Sequence, residues 1–192
     1  MLPMASDSLT FCRKAVAYLK PALAAEESKA AVCLPHSEQP MVRDLGNGLL
    51  VCYVVDDDEN LVFVQHAQLE SSGLDGDALH AIALENLAAG ADGRISLQPY
   101  GAVHALFFDG NLEASLILLD DLWEHTLREH VTNGFAVAVP ARDILAFCDV
   151  QSAEGLAELG NIIARVQSGG DHLISAQIYR REGSSWVPLA RD

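Results

Sequence analysis

Apolar runs and capped amphipathic segments alternate along this chain, and the pattern predicts a domain that mixes strands with helices. The continuous apolar run GLLVCYVV, residues 48–55, is typical of a buried strand. Residues 61–65 follow the polar turn 56–60 and predict its antiparallel partner. A second buried strand is predicted over residues 135–139. The remaining predicted strands are residues 30–34, 93–97, 103–108, 113–119, and a last hairpin of residues 172–180 and 185–189.

Helices are predicted where apolar residues recur at helical spacing after a capping residue. Asp75 caps an amphipathic segment over residues 76–89, and Ser152 caps one that runs to residue 167. Asp121 with Glu124 resembles a capping box and predicts a helix to residue 131. Two further helices are predicted at residues 8–25, kinked or shortened by Pro21, and at residues 141–148, opened by Pro140.

These elements predict an α+β fold in which a largely antiparallel sheet has helices packed on one face. Two hairpin–helix units, starting at VCYVVDDDENLVFVQ and VHALFFDGNLEASLILL, indicate an internal duplication, and a C-terminal hairpin follows them. The duplication favours a strand over residues 113–119, although the composition of ASLILL also permits a helix. We expect one domain over residues 1–192, with residues 1–29 as an N-terminal helix that can serve as a docking arm and residues 48–190 as the core.

The charge balance narrows the classes of partner. The chain of 192 residues has a formal net charge of −15 and lacks a cluster of Lys and Arg. The negative electrostatic potential of such a chain repels nucleic-acid backbones and anionic membranes, so neither is expected as a partner. We expect a basic protein partner, or self-association through an exposed sheet edge. The alternative is that the charge only keeps the protein in solution.

The apolar runs and the cysteines indicate the cellular setting. No run approaches the roughly 18–20 apolar residues that a membrane-spanning helix needs, and the N-terminus lacks the features of a signal peptide. The four cysteines are widely spaced and form no CxxC pair, so neither a zinc site nor a redox motif is predicted. Reduced, buried cysteines are typical of the cytoplasm.

The segment AVAVPARDILAFCDV, residues 136–150, and several positions upstream of it, such as Asp109, Gly110 and Glu113, form a pattern that suggests a family. In these residues the chain resembles the YtpQ-like family of bacterial proteins, whose function is unknown, over roughly residues 48–190. The resemblance implies the fold and a bacterial cytoplasmic setting, and it supplies no catalytic residue. The positions that carry it are Ala83, Asn86, Leu87, Asp109, Gly110, Glu113, Ala114, Ser115, Ile117, Leu118, Ala138, Val139, Pro140, Asp143, Asp149 and Val150.

Arg142 and Asp143 are the first candidates for a functional site. They follow a predicted buried strand and Pro140, at the start of a predicted helix. A helix N-terminus attracts an anion, and arginine adds a forked donor, so a small carboxylate or phosphate could bind here. In the alternative interpretation, Asp143 caps the helix and Arg142 pairs with a surface carboxylate.

Other candidate chemistry is weaker. His125 and Glu129 would share one helix face, but the spacing matches no known metal motif. The acidic turn DDDE lacks the spacing and the glycine of a calcium loop. Ser115 and Cys148 lack the neighbours that activate a nucleophile. We therefore expect no metal and no cofactor.

The predicted fold, the charge and the candidate residues are consistent with two functions. The first is a non-catalytic protein-interaction or regulatory module with an acidic surface. The second is a small hydrolase or small-molecule-binding protein, with its site near the junction formed by residues 140–143. In that case Arg142, Asp143, Asp109 and Asp120 would meet at the sheet ends, with Ser115 as a further binding residue, and two carboxylates could act as acid and base. It predicts one concave pocket lined by these residues.

Overall fold

A computed structural model describes residues 5–22, 34–57 and 60–190, and the chain divides into two compact units. The first comprises residues 1–45 and 50–90, and the second residues 46–49 and 91–192. The predicted α+β fold with antiparallel sheets is confirmed. The described helices are α1 (Ala5–Cys12), α2 (His66–Ser72), α3 (Gly76–Ala91) and α4 (Ala153–Gln167). The described strands are β1 (Val16–Pro21), β2 (Val42–Asp44), β3 (Leu49–Asp57), β4 (Asn60–Phe63), β5 (Ser96–Tyr100), β6 (Val103–Phe107), β7 (Phe135–Ala141), β8 (Ile144–Asp149), β9 (Ile178–Glu182) and β10 (Ser185–Pro188).

The first unit is built around β3, the predicted buried strand. Strand β4 pairs antiparallel with β3, which confirms the predicted hairpin. Strand β2, which the sequence pattern does not predict, also pairs antiparallel with β3. Helix α3 is capped as predicted, because Asp75 Oδ1 accepts a hydrogen bond of 2.8 Å from the Ala78 N–H. Its apolar stripe of Leu79, Ala83 and Leu87 is buried. The division into two units does not test the prediction of a single domain, which stays a prediction.

The predicted N-terminal helix over residues 8–25 is wrong in its second half. Helix α1 ends at Cys12, and the chain then enters β1, which belongs to the sheet around β3. Its residues VAYL form a short continuous apolar run, and such a run occurs in buried helices as well as in buried strands. Residues 1–29 are therefore not one helical arm. Of the predicted strand 30–34, residues 30–33 lie outside the described residues.

In the described part of the second unit, six strands form an antiparallel sheet in the order β10-β9-β7-β8-β6-β5. Helix α4 covers one face, and Ser152 caps it as predicted by accepting the Gly155 N–H at 3.0 Å. The predicted C-terminal hairpin is confirmed as β9 and β10, which pair antiparallel, although its first strand begins at Ile178 and not at His172. The buried cluster between α4 and the sheet contains Val103, Ala136, Ala138, Ala146, Cys148, Leu159, Ile163 and Ile178.

Short helical segments cover the opposite face of this sheet. They are a 3₁₀ helix at Ala114–Leu118, a π-helix at Leu122–Thr126 and a 3₁₀ turn at Arg128–His130. Trp123 of the π-helix packs edge-on against Phe135 and Phe147 of the sheet. The prediction placed the helices on one face, whereas here helical segments cover both.

Two predicted elements in this segment need correction. Residues 113–119 form no strand, because the chain turns into the 3₁₀ helix at Ala114. Residues 121–131 form no capped α-helix, since Asp121 makes no capping bond and the Leu127 N–H bonds the Leu122 carbonyl at 2.9 Å, five residues back. The second hairpin–helix unit is therefore absent, and the predicted duplication is wrong.

The predicted helix over residues 141–148 is also wrong. Strand β7 continues through Pro140 to Ala141, a two-residue turn follows, and β8 returns beside it. The β7–β8 register shifts between Ala138 and Ala141, which marks a bulge where proline need not donate a ladder hydrogen bond. Proline therefore sits at a bulge here and not in the first turn of a helix. In the part of the chain the structure describes, no helix is both long and apolar enough to cross a bilayer.

Candidate functional site

The structure places Arg142 and Asp143 together in the β7–β8 turn. They line an open cavity of about 590 Å³ with Arg165, Asp171 and His172. Because β8 replaces the predicted helix, the helix N-terminus proposed as an anion site is not there. The turn is instead fixed by backbone bonds, since the Arg142 N–H donates to the His172 carbonyl at 3.2 Å.

The other three predicted site residues lie elsewhere. Asp109 Oδ1 accepts the N–H groups of Asn111 and Leu112 at 2.9 and 2.8 Å, which makes Asp109 the cap of the following turn. Ser115 is 1% exposed inside the 3₁₀ helix. Asp120 pairs with Arg181. The acid–base constellation predicted at the sheet ends is therefore not assembled around the β7–β8 turn.

The pair of Asp120 and Arg181 belongs to a more strongly built arrangement. Arg181 Nη2 lies 2.8 Å from Asp120 Oδ1 and 3.2 Å from Glu124 Oε1. The Arg181 side chain is only 7% exposed, whereas both carboxylates are about half exposed. A buried arginine thus joins β9 to the π-helical segment across the sheet face.

Strand geometry explains why Arg181 is buried beside an exposed arginine. Successive side chains of a strand point to opposite faces. Ile178 packs in the cluster beneath α4, and Arg180, two residues on, shares that face and pairs with Glu182. Arg181 points to the other face, where its guanidinium carbon lies 5.3 Å from the ring centroid of Trp186, its cross-strand neighbour.

One end of the Arg181 guanidinium is unused. Among the described residues, Nη1 is buried and has no hydrogen-bond partner. A buried donor without a partner costs free energy, and in native proteins such groups are few and call for an explanation. Arg181 lines a cavity of about 310 Å³, and we call this space the Arg181 cavity. Its other lining residues are Trp123, Glu124, Arg128, Thr132, Asn133, Gly134, Phe135 and Gly183.

A second arginine lines the same cavity. Arg128 Nη1 donates to the Val131 carbonyl at 2.6 Å, and Nη2 to the Thr132 carbonyl at 3.4 Å. Within the described ranges, no carboxylate lies within ion-pair distance of Arg128. The lining thus carries two guanidinium groups against the one carboxylate of Glu124. Asp120, outside the lining, also pairs with Arg181, so two guanidinium groups meet two carboxylates here, in a protein of net charge −15.

Asp149 fixes the loop that forms one wall of the Arg181 cavity. Its Oδ2 accepts the N–H groups of Thr132 and Asn133 at 2.7 and 2.8 Å. Its Oδ1 accepts the Gln151 N–H at 2.9 Å. Desolvation acts to raise the pKa of Asp149, but these backbone donors and the Asn133 side chain outweigh it and lower the pKa to about 2.

We expect Asp149→Asn to lower the free energy of unfolding at pH 7 by about 1 kcal/mol, because an amide is a weaker acceptor than a carboxylate. The folded pKa of about 2 lies below the ordinary value of 3.8. The stabilisation is therefore complete above about pH 5 and is lost as the pH falls toward 2. Urea unfolding from pH 7 to pH 2 measures this, and the variant should show the shallower decline between pH 5 and pH 2.

Asp143→Asn is the matched control for this prediction. Asp143 is exposed in the β7–β8 turn, so its replacement should change stability at pH 7 by less than about 0.5 kcal/mol. Equal effects of the two substitutions would contradict the role given to Asp149.

Sequence reasoning passed over both arginines of the cavity. Glu124 and Arg128 fit an ordinary surface pair on an α-helix, but the π-helix turns them apart and Glu124 contacts Arg181. The usable clue was the pair Arg180–Arg181 at the end of the predicted strand 172–180, since a strand that continues by one residue places one of the two arginines on the inner face.

The remaining candidates take no part in this site. His125 Nε2 lies 4.0 Å from Asp121 Oδ1, and Glu129 lies beside His130. Among the described residues, no group of three or more His, Cys, Asp or Glu side chains is placed to hold a metal ion. Burial, with a smaller effect of Asp149, raises the pKa of the Cys148 thiol to about 11. Cys148 is therefore protonated at neutral pH.

Comparison with known proteins adds no relative. The chain matches no protein-family model, no curated protein and no solved structure. The resemblance to the YtpQ-like family therefore stays a prediction, and the function is inferred from the geometry of the Arg181 cavity.

Proposed function

We propose that this protein is a non-catalytic binding module that captures an acidic group of a partner or ligand in the Arg181 cavity. The observation that carries the proposal is that Arg181 lines the cavity and that its buried Nη1 has no partner among the described residues. A bound anion would satisfy this donor and meet the second guanidinium, of Arg128. Charge-assisted bonds of this kind are worth about 1.5–3 kcal/mol each.

The chemistry of the lining supports binding over catalysis. Guanidinium groups stay protonated in proteins, so Arg128 and Arg181 hold charge and do not exchange protons. Glu124 is half exposed and already engaged with Arg181. A site of this composition is suited to recognising a negative charge, which is the role of a protein-interaction or regulatory module.

The rest of the surface favours a basic partner in the cytoplasm. The net charge of −15 attracts a positively charged chain over a distance of about 10 Å at ordinary ionic strength. Self-association through the six-stranded sheet is disfavoured, because its edge strands β5 and β10 contain Pro99 and Pro188. Proline has no N–H to donate to an added strand. A basic chain that presents one acidic group would satisfy both the surface and the cavity.

A second candidate function belongs to the cavity at the β7–β8 turn. Arg142 and Asp143 line a space of about 590 Å³ together with Arg165 and His172, which supports binding of a small molecule. Two of its charged groups are already paired, Arg165 with Glu158 and His172 with Asp171, and among the described residues its lining has no buried polar side-chain atom without a partner. We therefore rank this cavity below the Arg181 cavity.

Arg181→Met is the decisive variant for the proposal. We expect binding of at least one organic anion from a panel of acetate, benzoate, 3-phenylpropanoate and phenyl phosphate, measured by calorimetry, to weaken about tenfold or more. Arg180→Met is the matched control, because Arg180 is the neighbouring arginine on the opposite face of β9 and pairs with Glu182. It should leave the affinity within about twofold of the wild-type value.

Arg128→Met supplies a second test that leaves the buried pairs of Arg181 intact. It should weaken binding of the same anion several-fold, because it removes the other guanidinium of the lining. Circular dichroism confirms that each variant is folded. The proposal is overturned if no anion of the panel binds, or if both Arg181→Met and Arg128→Met bind as the wild type does.

A further inference from the structure

We propose that the outer edge of strand β4 receives an extended, basic segment of a partner protein as an added strand. The proposal goes beyond the Arg181 cavity, because β4 belongs to the sheet of the first unit. Three observations support it: the backbone groups that β4 directs outward, the lack of the usual protection of a sheet edge, and the charge around the strand.

The register of the β3–β4 hairpin shows which backbone groups of β4 face outward. The N–H of Val64, directly after β4, donates to the Tyr53 carbonyl of β3 at 2.8 Å. In an antiparallel pair, hydrogen-bonded positions alternate with positions whose N–H and C=O point away from the partner strand. Counting back from Val64, the backbone groups of Leu61 and Phe63 therefore point to the outer edge. Among the described strands, β4 pairs only with β3, so no strand lies along that edge.

Strand β4 also lacks the features that keep sheet edges from pairing. Natural edge strands are blocked by proline, by charged side chains or by bulges. The four residues of β4, NLVF, include neither proline nor a charged residue. Each of the other described edge strands contains one or the other: Lys20 in β1, Arg43 in β2, Pro99 in β5 and Pro188 in β10. Strand addition is therefore least obstructed at β4.

The side chains of β4 suit an added strand with apolar residues at alternate positions. Leu61 and Phe63 lie on one face of the sheet, because successive side chains of a strand alternate between faces. Leu61 is 36% exposed, and Phe63 is partly exposed. Cross-strand contacts between branched and aromatic side chains stabilise antiparallel pairs. An added strand would thus gain apolar contacts on this face as well as main-chain hydrogen bonds.

The charge around β4 selects a basic occupant. Residues 34–90 contain ten Asp and Glu residues against no Lys and one Arg, Arg43, which pairs with Asp77. Asp56 and Asp57 are exposed and lie directly opposite β4 in the hairpin. A second copy of this chain would bring the same negative charge to the edge and be repelled, whereas lysine or arginine side chains would be attracted. The occupant is therefore a basic segment of another protein.

Three octapeptides, each acetylated and amidated at its ends, test the proposal by calorimetry on the full chain. In the first, lysine alternates with valine, and in the second, glutamate replaces every lysine. The third is the first peptide with a methyl group on every backbone nitrogen, which keeps the charge and removes every main-chain donor. We expect the first peptide to bind at least about tenfold more tightly than the other two, because only it has both the charge and the donors.

Leu61→Lys locates the binding at the edge of β4. It places a positive charge in the middle of the edge and should weaken binding of the lysine–valine octapeptide about tenfold or more. Leu45→Lys is the matched control, because Leu45 is equally exposed, at 36%, and lies after β2 and outside β4. It should leave the affinity within about threefold of the wild-type value. Circular dichroism confirms that both variants are folded.

Nuclear magnetic resonance gives a second measurement that needs no variant. In the complex with the lysine–valine octapeptide, the backbone amide signals of Leu61 and Phe63 should shift. Their exchange with solvent should slow, because the peptide carbonyls accept hydrogen bonds from them. Unchanged exchange at both positions in the saturated complex would show that no strand is added to β4.

Other outcomes also overturn the proposal. Equal binding of the methylated octapeptide would mean that charge alone attracts the peptide, and equal affinities of Leu61→Lys and Leu45→Lys would place the binding elsewhere. Absence of binding by the lysine–valine octapeptide rejects the basic strand as the occupant. If sedimentation shows a dimer that Leu61→Lys abolishes, the occupant is a second copy and not a basic partner. None of these results bears on the Arg181 cavity, which is tested by different variants and different ligands.

Discussion

Replacing Trp123 with alanine is expected to lower the free energy of unfolding of the second unit by about 3–5 kcal/mol. Trp123 is 0% exposed and packs against the rings of Phe135, Phe147 and Trp186 at centroid distances of 5.1, 5.6 and 4.9 Å. Its Nε1–H donates to the Leu116 carbonyl at 3.0 Å, in a buried position. The substitution leaves a large cavity and removes one of the two hydrogen bonds that the Leu116 carbonyl accepts, the other coming from the Leu119 N–H at 3.2 Å.

Phe107→Ala is the matched control, because Phe107 is an aromatic residue of the same sheet that is 49% exposed. Its loss should cost less than about 1 kcal/mol, since a half-exposed ring gives up little buried area. Urea unfolding followed by far-UV circular dichroism compares the two without relying on the fluorescence of the tryptophan removed. Similar unfolding midpoints for the two variants would show that Trp123 does not anchor the helical segments to the sheet.

Trp123→Phe separates packing from hydrogen bonding. The phenyl ring retains part of the edge-on contact with Phe135 and Phe147, while the donor to the Leu116 carbonyl disappears. We expect an intermediate loss of about 1–2 kcal/mol. A loss as large as that of Trp123→Ala would mean that the hydrogen bond, and not the ring volume, holds the segment.

The elements that could be predicted from the sequence are those with local evidence of their own. Helices α3 and α4 can be predicted because each begins after a residue with a capping oxygen and continues as a regular apolar stripe. The capping residue is Asp75 for α3 and Ser152 for α4. Strand β3 is a long apolar run of branched and aromatic residues with a polar turn after it. In each case the hydrogen bond or the periodicity is complete within a few residues, so no tertiary information is needed.

The elements that failed depend on contacts far along the chain. Residues 113–131 are apolar enough for a strand or a helix, and they become 3₁₀ and π segments because they must fit over the aromatic face of a sheet formed by other residues. Pro140 has the local signature of a helix start, yet the pairing of β7 with β8 and β9 places it at a bulge. Periodicity cannot show a bulge, since the extra residue is defined by its partner strand.

The candidate site was predictable only in part for the same reason. Arg142 and Asp143 stay together because they are adjacent, and they do line a cavity. Arg181 and its two carboxylates are 57 or more residues apart in the chain and meet only through the sheet. The buried, partly unpaired guanidinium that supports the proposed function is therefore a property of the fold and not of any local motif.

Gly155→Ala and Gly160→Ala, two identical substitutions in α4, are expected to change stability in opposite directions. A Cβ at Gly155 would lie 2.7 Å from the Cys148 Cβ and 2.8 Å from its Sγ, and the Cβ cannot rotate away. The helix must then move off β8, at a cost of about 1–3 kcal/mol. At Gly160 nothing lies within 4 Å of the added carbon. There the better helix propensity of alanine should stabilise the protein by up to about 1 kcal/mol.

Because the two substitutions are expected to change the free energy of unfolding in opposite directions, together they test how closely α4 packs on the sheet. Propensity alone favours alanine at both positions, so only the contact with Cys148 can reverse the sign at Gly155. Urea unfolding of the two variants beside the wild type measures both changes in one experiment. If Gly155→Ala proves as stable as Gly160→Ala, then α4 does not approach β8 closely at its first turn, and the packing described for that face of the sheet is wrong. If Gly155→Ala alone destabilises, the small residue at this position is required because it lets the capped end of the helix lie directly on the central strands.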